Sequence, residues 1–191
     1  LGLAFKLKFK PALAVYAVFI GLAIIQSVFV TVVKRHCTEA FKENSPSMSP
    51  TIDPGDLFLV NKLRRTRRWD LVTYRDTING KGPDVFCRRV VGLPGERIRF
   101  TGGDLYVDDR RVDAPPVIAG KLRTSDTGRA HMPWMYDDSE PITLGSDECF
   151  LLGDNLSRAI DSRMLGPRRC SSIIGRIDVI YWPPSRAKII H

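Results

Sequence analysis

The chain reads as a mostly antiparallel β-sheet or β-barrel domain carried on one N-terminal transmembrane helix. Three observations lead to that class. Residues Ala12 to Val33 contain no charged side chain. The remainder breaks into short apolar runs separated by clusters of Gly, Pro, Asn and Asp, and none of it repeats at helical spacing in the manner of a bundle. The resulting organisation is a basic tail over 1–11, a membrane helix over 12–33, a polar link over 34–44, a β domain over 45–185 and a short basic tail over 186–191.

Length and charge limit what such a chain can be. Its 191 residues hold the anchor and one domain of about 140 to 150 residues, with no room for a second. A net charge of +8 suits an anionic partner, and the anchor makes that partner lipid head groups rather than nucleic acid. The cysteines, Cys37, Cys87, Cys149 and Cys170, have no C-x-x-C spacing, which argues against a zinc or thioredoxin-like site. Cys149 and Cys170 would pair in an oxidising compartment; equally, Cys87 and Cys149 lie in apolar strand-like runs and read as buried thiols.

The apolar run of about 22 residues spans about 33 Å as a helix, enough for a hydrocarbon core of about 30 Å. A cleaved signal peptide has a shorter apolar core and a small-x-small cleavage site, whereas this run ends in Val32-Val33-Lys34-Arg35. Lys6, Lys8 and Lys10 precede it, and Lys34 and Arg35 follow with Glu39 and Glu43 close by. The slight positive-inside bias places the N-terminus in the cytoplasm and the domain on the outer, periplasmic or extracytoplasmic face.

Beyond the link, Ser45-Pro46-Ser47-Met48-Ser49-Pro50-Thr51-Ile52 sets a hydroxyl run just outside the membrane. Ser and Thr beside Pro ordinarily make turns and caps; the functional reading makes Ser47 a nucleophile. Asp53-Pro54-Gly55-Asp56 is a turn before a buried strand, Leu57 to Val60. Arg64-Arg65-Thr66-Arg67-Arg68 is a solvated loop or a site for lipid phosphates. Further strands are expected over Trp69 to Tyr74, Val85 to Val91, Glu96 to Phe100, Leu105 to Val107, Glu148 to Leu152 and Ile173 to Trp182, with Asn79 to Pro83 as a turn and Thr101-Gly102-Gly103-Asp104 closing a hairpin. Residues 114–141, rich in Pro, Gly, Asp, Ser and Thr, form a long excursion in which Trp134 and Met135 are candidates for docking on the surface.

Peptide-bond hydrolysis by serine needs a base, oxyanion donors and a slot for the substrate backbone. His36, His131 and His191 have no local signature placing them beside Ser47. Gly153-Asp154 lacks the further ligands a metal would require, so neither metal nor cofactor is implied.

Three groups of residues, in order, alter the reading of Ser47. They are Ser45-x-Ser47-Met48-x-Pro50-Thr51, then Arg89-Val90-Val91-Gly92-Leu93-Pro94-Gly95, then Gly153-Asp154-Asn155 with Asp161-Ser162-Arg163 and Gly166. Between them fall Gly55-Asp56 with Val60-Asn61-Lys62, Asp70-Leu71-Val72 and Leu105-Tyr106-Val107. In this combination, from Ser45 to Trp182, the chain resembles the type I signal peptidases, membrane-anchored Ser/Lys endopeptidases that cut leader peptides from exported proteins at Ala-x-Ala sites. The resemblance implies the signal-peptidase β fold, Ser47 as nucleophile, its amide and the Ser45 hydroxyl as the oxyanion hole, and Asp161 with Arg163 as a supporting ion pair. It places Met48, Ile52, Phe86 and Cys87 along shallow pockets for small side chains, and makes signal peptides of preproteins the partner.

The chain departs from the family where the chemistry is decided. The base lysine's position holds Arg88, and the serine that hydrogen-bonds the lysine is replaced by Ala159. Guanidinium keeps its proton at any physiological pH, so Arg88 cannot serve as the base. Leu156 and Arg158 replace polar residues, and Glu43-Asn44 stand where the family favours an apolar entry. Three readings follow: an inactive homologue that binds leaders or assists an active paralogue, an active endopeptidase drawing on Lys81 or His131 as base, and a basic β domain that binds anionic lipid.

Overall fold

The structure is a computed structural model that describes residues 2–77, 82–119, 122 and 140–190, with the backbone alone for 2–12. It divides into two compact units, Leu1–Thr38 and Glu39–His191. The first is helix α1, Gly2–His36, of which Leu13–His36 is long and apolar enough to cross a membrane. The helix runs past the charge-free stretch at both ends. Lys34, Arg35 and His36 occupy its last turn, where cations meet the negative end of the helix dipole.

The second unit is the β domain. Its strands are β1 Thr38–Lys42, β2 Leu57–Asn61, β3 Leu71–Asp76, β4 Asp84–Gly92, β5 Arg97–Thr101, β6 Asp104–Val107, β7 Arg110–Val112, β8 Ile142–Thr143, β9 Glu148–Leu152, β10 Arg168–Arg169, β11 Ile173–Trp182 and β12 Lys188–Ile189. One sheet of eight strands runs β1-β2-β11-β3-β4-β9-β10, with β12 also on β11, and a smaller sheet runs β7-β6-β5-β8. All the strand pairings whose register is defined are antiparallel.

Most expected strands fall where their apolar runs placed them. Three differences have physical causes. The expected link over 34–44 contains β1, because Phe41 stacks on Phe58 with centroids 6.1 Å apart and draws the segment onto the sheet. Strand β3 starts at Leu71, since Trp69 adopts a left-handed φ of 70° that no strand accommodates. The expected tail over 186–191 is part of the domain: β12 pairs with β11, and Arg186 holds Asp56 through Nε at 2.9 and 3.1 Å and Nη2 at 3.0 Å.

Of the two readings of the cysteines, pairing holds for Cys149 and Cys170, which form a disulfide from β9 to the turn before β11, whereas Cys87 is a buried free thiol. Within the long excursion, Ile118 and Leu122 pack into the core with Phe100, Leu105 and Phe150. Trp134, Met135, His131 and Lys81 lie outside the described residues.

Strand β4 positions the site. It lies between β3 and β9, pairing Val72 with Arg88, Thr73 with Cys87 and Tyr74 with Phe86 on one side, and Arg89 with Leu152 on the other. From Cys87 onward it is buried. A long side chain at Arg88 is therefore fixed from both flanks.

Candidate active site

Ser47 sits in a single 3-10 turn, Pro46–Met48, that Ser45 caps: the Ser47 amide donates to Ser45 Oγ at 3.4 Å. Loops far along the chain hold this turn. The Asn155 amide donates to the Ser47 carbonyl and Asn155 Nδ2 to the Pro46 carbonyl, both at 3.0 Å. Asp154 accepts from the Thr51 hydroxyl and from Arg89, at 2.7 Å from Nε and 2.6 Å from Nη2. Gly153 permits this approach because a Cβ there would stand 2.6 Å from the Ser47 carbonyl oxygen and 2.3 Å from the Ala159 Cβ. The first and third sequence motifs thus form one clasp.

Arg88 completes the site. Its side chain is buried, and Nη1 donates to Ser47 Oγ at 2.9 Å. Further donations run from Nη1 to the carbonyl of Cys87 and from Nη2 to that of Ile160 at 2.7 Å, with the guanidinium carbon 5.8 Å from the Phe86 ring centroid. The guanidinium rests its fork on two backbone carbonyls beside the Ser47 hydroxyl. Ala159, fully buried, supplies no hydroxyl to it.

Asp161 and Arg163 form an ion pair. Both side chains are fully buried, joined at 2.8 Å by Nε and by Nη2, and Asp161 also takes the Gly153 amide at 2.9 Å. Asp161 caps the short helix α2, Ser162–Leu165, by accepting the Arg163 amide, and it holds the Gly153 loop from behind.

The four expected pocket residues are only partly united. Met48, Ile52 and Cys87 pack in one cluster with Phe58 and Leu71, while Phe86 belongs to another and lies against Tyr74, centroids 5.7 Å apart. Met48 and Ile52 have no exposed surface. Phe86 alone of the four is more than slightly exposed.

Glu43 is the site residue that sequence reasoning left as a mere departure. It is buried, and its Oε1 accepts from the Asn44 amide at 3.1 Å, the Ser45 amide at 2.9 Å and the Ser45 hydroxyl at 2.9 Å. Ser45 Oγ is in turn 2.8 Å from Ser47 Oγ. Because Ser45 gives its only proton to Glu43, the contact between the hydroxyls is a donation from Ser47 to Ser45. Glu43 also bonds the Cys87 thiol; burial first, and then the Glu43 charge, push that thiol well above its ordinary pKa. The signal was available in the position of Glu43, two residues before Ser45, from which a carboxylate reaches the next two amides.

Residues 14–182 match the family described as signal peptidase, peptidase S26. Signal peptidase I of Bacillus caldolyticus is 30% identical over 170 residues, covering 86% of this chain and 88% of that protein. Signal peptidase I V of Bacillus subtilis is 31% identical, covering 90% of this chain and 97% of its own. An inactive signal peptidase IA of Staphylococcus aureus is 32% identical over 143 residues, 73% of this chain and 76% of that one. Among solved structures, a signal peptidase I from Enterococcus faecalis superposes with a TM-score of 0.42 at 19% identity, covering 59% of this chain and 97% of that one. Since the family match takes in the apolar helix and all three motifs, the chain belongs to the signal peptidase family, peptidase S26.

Proposed function

We propose that this chain is a non-cleaving member of its family, anchored by α1, that holds leader peptides beside Ser47. The observation that carries the reading is the donation from Arg88 Nη1 to Ser47 Oγ. A nucleophilic hydroxyl must lose its proton to a neighbour, and here the neighbour in the base position offers another proton instead. The neutral fraction of a guanidinium at pH 7 is below about one in 10⁵, a handicap of about 7 kcal/mol for a base. The oxyanion hole is spent as well. Its two family donors, the Ser47 amide and the Ser45 hydroxyl, point to Ser45 Oγ and to Glu43.

The family makes preproteins with signal peptides the substrate class. The domain's outer-face placement is supported by the Cys149–Cys170 disulfide, which suits an oxidising compartment. For lipid, the exposed Arg64, Arg65 and Arg67 are the candidates. Arg68 turns inward to the Val91 carbonyl and Glu96, so its role is structural. Vesicle binding that weakens with salt, and with loss of those three charges, is the measurement for that part.

One observation favours an active enzyme: the hydroxyl chain from Ser47 through Ser45 ends on a carboxylate. Against it, Glu43 Oε1 already accepts three donors and is parted from Ser47 by the Ser45 hydroxyl, so it does not touch the oxygen it would have to deprotonate. The test is retention of a preprotein with an Ala-x-Ala site on the immobilised full chain in detergent. Recovery at full length supports the proposal. Cleavage that a Ser47→Ala variant abolishes would sink it.

A further inference from the structure

Replacing an amine by a guanidinium does more than remove a base, because it leaves a permanent, forked cation where the reaction's product would end. Cutting a peptide converts the scissile carbonyl carbon, which sits against the nucleophilic oxygen, into the carboxyl carbon of the released piece. That carboxylate therefore appears beside Ser47 Oγ, and here Ser47 Oγ is 2.9 Å from Arg88 Nη1. Nη1 gives its two protons to Ser47 Oγ and the Cys87 carbonyl, and Nη2 donates to the Ile160 carbonyl, so the guanidinium is fixed in place. It holds a permanent positive charge in hydrogen-bond contact with the oxygen beside which that carboxylate would stand, and guanidinium–carboxylate contacts are among the strong charge-assisted ones.

The nearby anions do not cancel it. Asp161 is taken up by Arg163. Glu43 is separated from Ser47 by the Ser45 hydroxyl, which donates to it, so its repulsion acts across two hydrogen bonds while the attraction of Arg88 acts by contact.

We propose that the Ser47–Arg88 corner is a binding site for the terminal carboxylate of a peptide, so that the preferred ligand is an already released leader ending in a small residue rather than an uncut precursor. This rests on the reading that the chain still takes leader peptides beside Ser47. The consequence is a protein that captures cut leaders at the membrane instead of making them.

The test uses the full chain in detergent and two labelled leader peptides of one sequence ending in Ala-x-Ala, one with a free C-terminal acid and one with a C-terminal amide, read by fluorescence anisotropy. The acid is expected to bind at least tenfold more tightly than the amide, and Arg88→Gln to abolish the difference. Arg88→Lys, which keeps a cation in place, is expected to retain part of the preference and keeps the test decisive if Arg88→Gln fails to fold. Equal binding of acid and amide by the unaltered chain, or a preference that survives Arg88→Gln, overturns the carboxylate site and leaves leader binding standing. Failure of both peptides to bind overturns leader binding and the site together.

Discussion

At the scale of single residues, Arg88 and Glu43 hold the two serine hydroxyls between them, Arg88 donating to Ser47 and Glu43 accepting from Ser45. Arg88 was legible in the sequence because a guanidinium stays charged wherever it lies. Glu43 was not, because its importance comes from a fold-back that puts its carboxylate under three donors of one turn. Cys87 reports on this corner. With its thiol raised by burial and by Glu43, it should resist iodoacetamide at neutral pH in the folded chain and react only on denaturation. Labelling of native protein at Cys87, followed by mass spectrometry, would contradict the buried Glu43–Cys87 contact. Tyr74, pushed up to about 12 chiefly by burial, stays un-ionised beside Phe86 and does not supply a base at neutral pH.

At the scale of elements, the clasp between the Ser47 turn and the Gly153 loop explains motifs separated by a hundred residues of chain. Gly153→Ala must displace either Ser47 or Ala159, and we expect a loss of about 2–4 kcal/mol in denaturant unfolding. A neutral result would mean that the two loops do not meet. A second clamp, Arg186 on Asp56, ties the last turn of the domain to the turn before β2. Burial alone would raise the Asp56 carboxyl, but the Arg186 bond, the Asp53 amide and the charges of Arg186 and Lys188 hold it below its ordinary value. A group with a depressed folded pKa stabilises above its unfolded pKa of about 3.9 and loses that contribution as pH falls through the folded value. Asp56→Asn should therefore cost about 1–3 kcal/mol near pH 7, and the deficit should shrink on acidification below about pH 4. A gap that stays constant with pH would contradict it.

Strand legibility followed the same logic of size. Glu148–Leu152 and Ile173–Trp182 were readable to the residue, being apolar runs bounded by turn formers. The short strands β7, β8, β10 and β12 expose polar or isolated apolar side chains and exist because a neighbour offers them an edge, which no local pattern announces. The Asp161–Arg163 pair was known only through family resemblance; its burial and its hold on Gly153 come from the fold.

At the scale of the whole molecule, a signal peptidase family chain holds its site serine against a guanidinium, which we propose has taken the place of the proton acceptor. The Cys149–Cys170 bridge closes a separation of 21 residues, and its reduction is expected to cost about 3 kcal/mol in unfolding experiments. No loss of stability on reduction would argue against a bridge formed in the folded chain. The family's catalytic power should return by steps if the remainder of the site is sound. Arg88→Lys with Ala159→Ser supplies a base and its partner, and adding Glu43→Leu frees the Ser45 hydroxyl, a change of about 10²-fold for one oxyanion donor. The most direct measurement is intact-mass analysis of an Ala-x-Ala preprotein incubated in detergent with the unaltered chain and with these variants. The expected result is no cleavage by the unaltered chain and cleavage that requires Ser47 in the restored ones; cleavage by the unaltered chain that Ser47→Ala removes would contradict it.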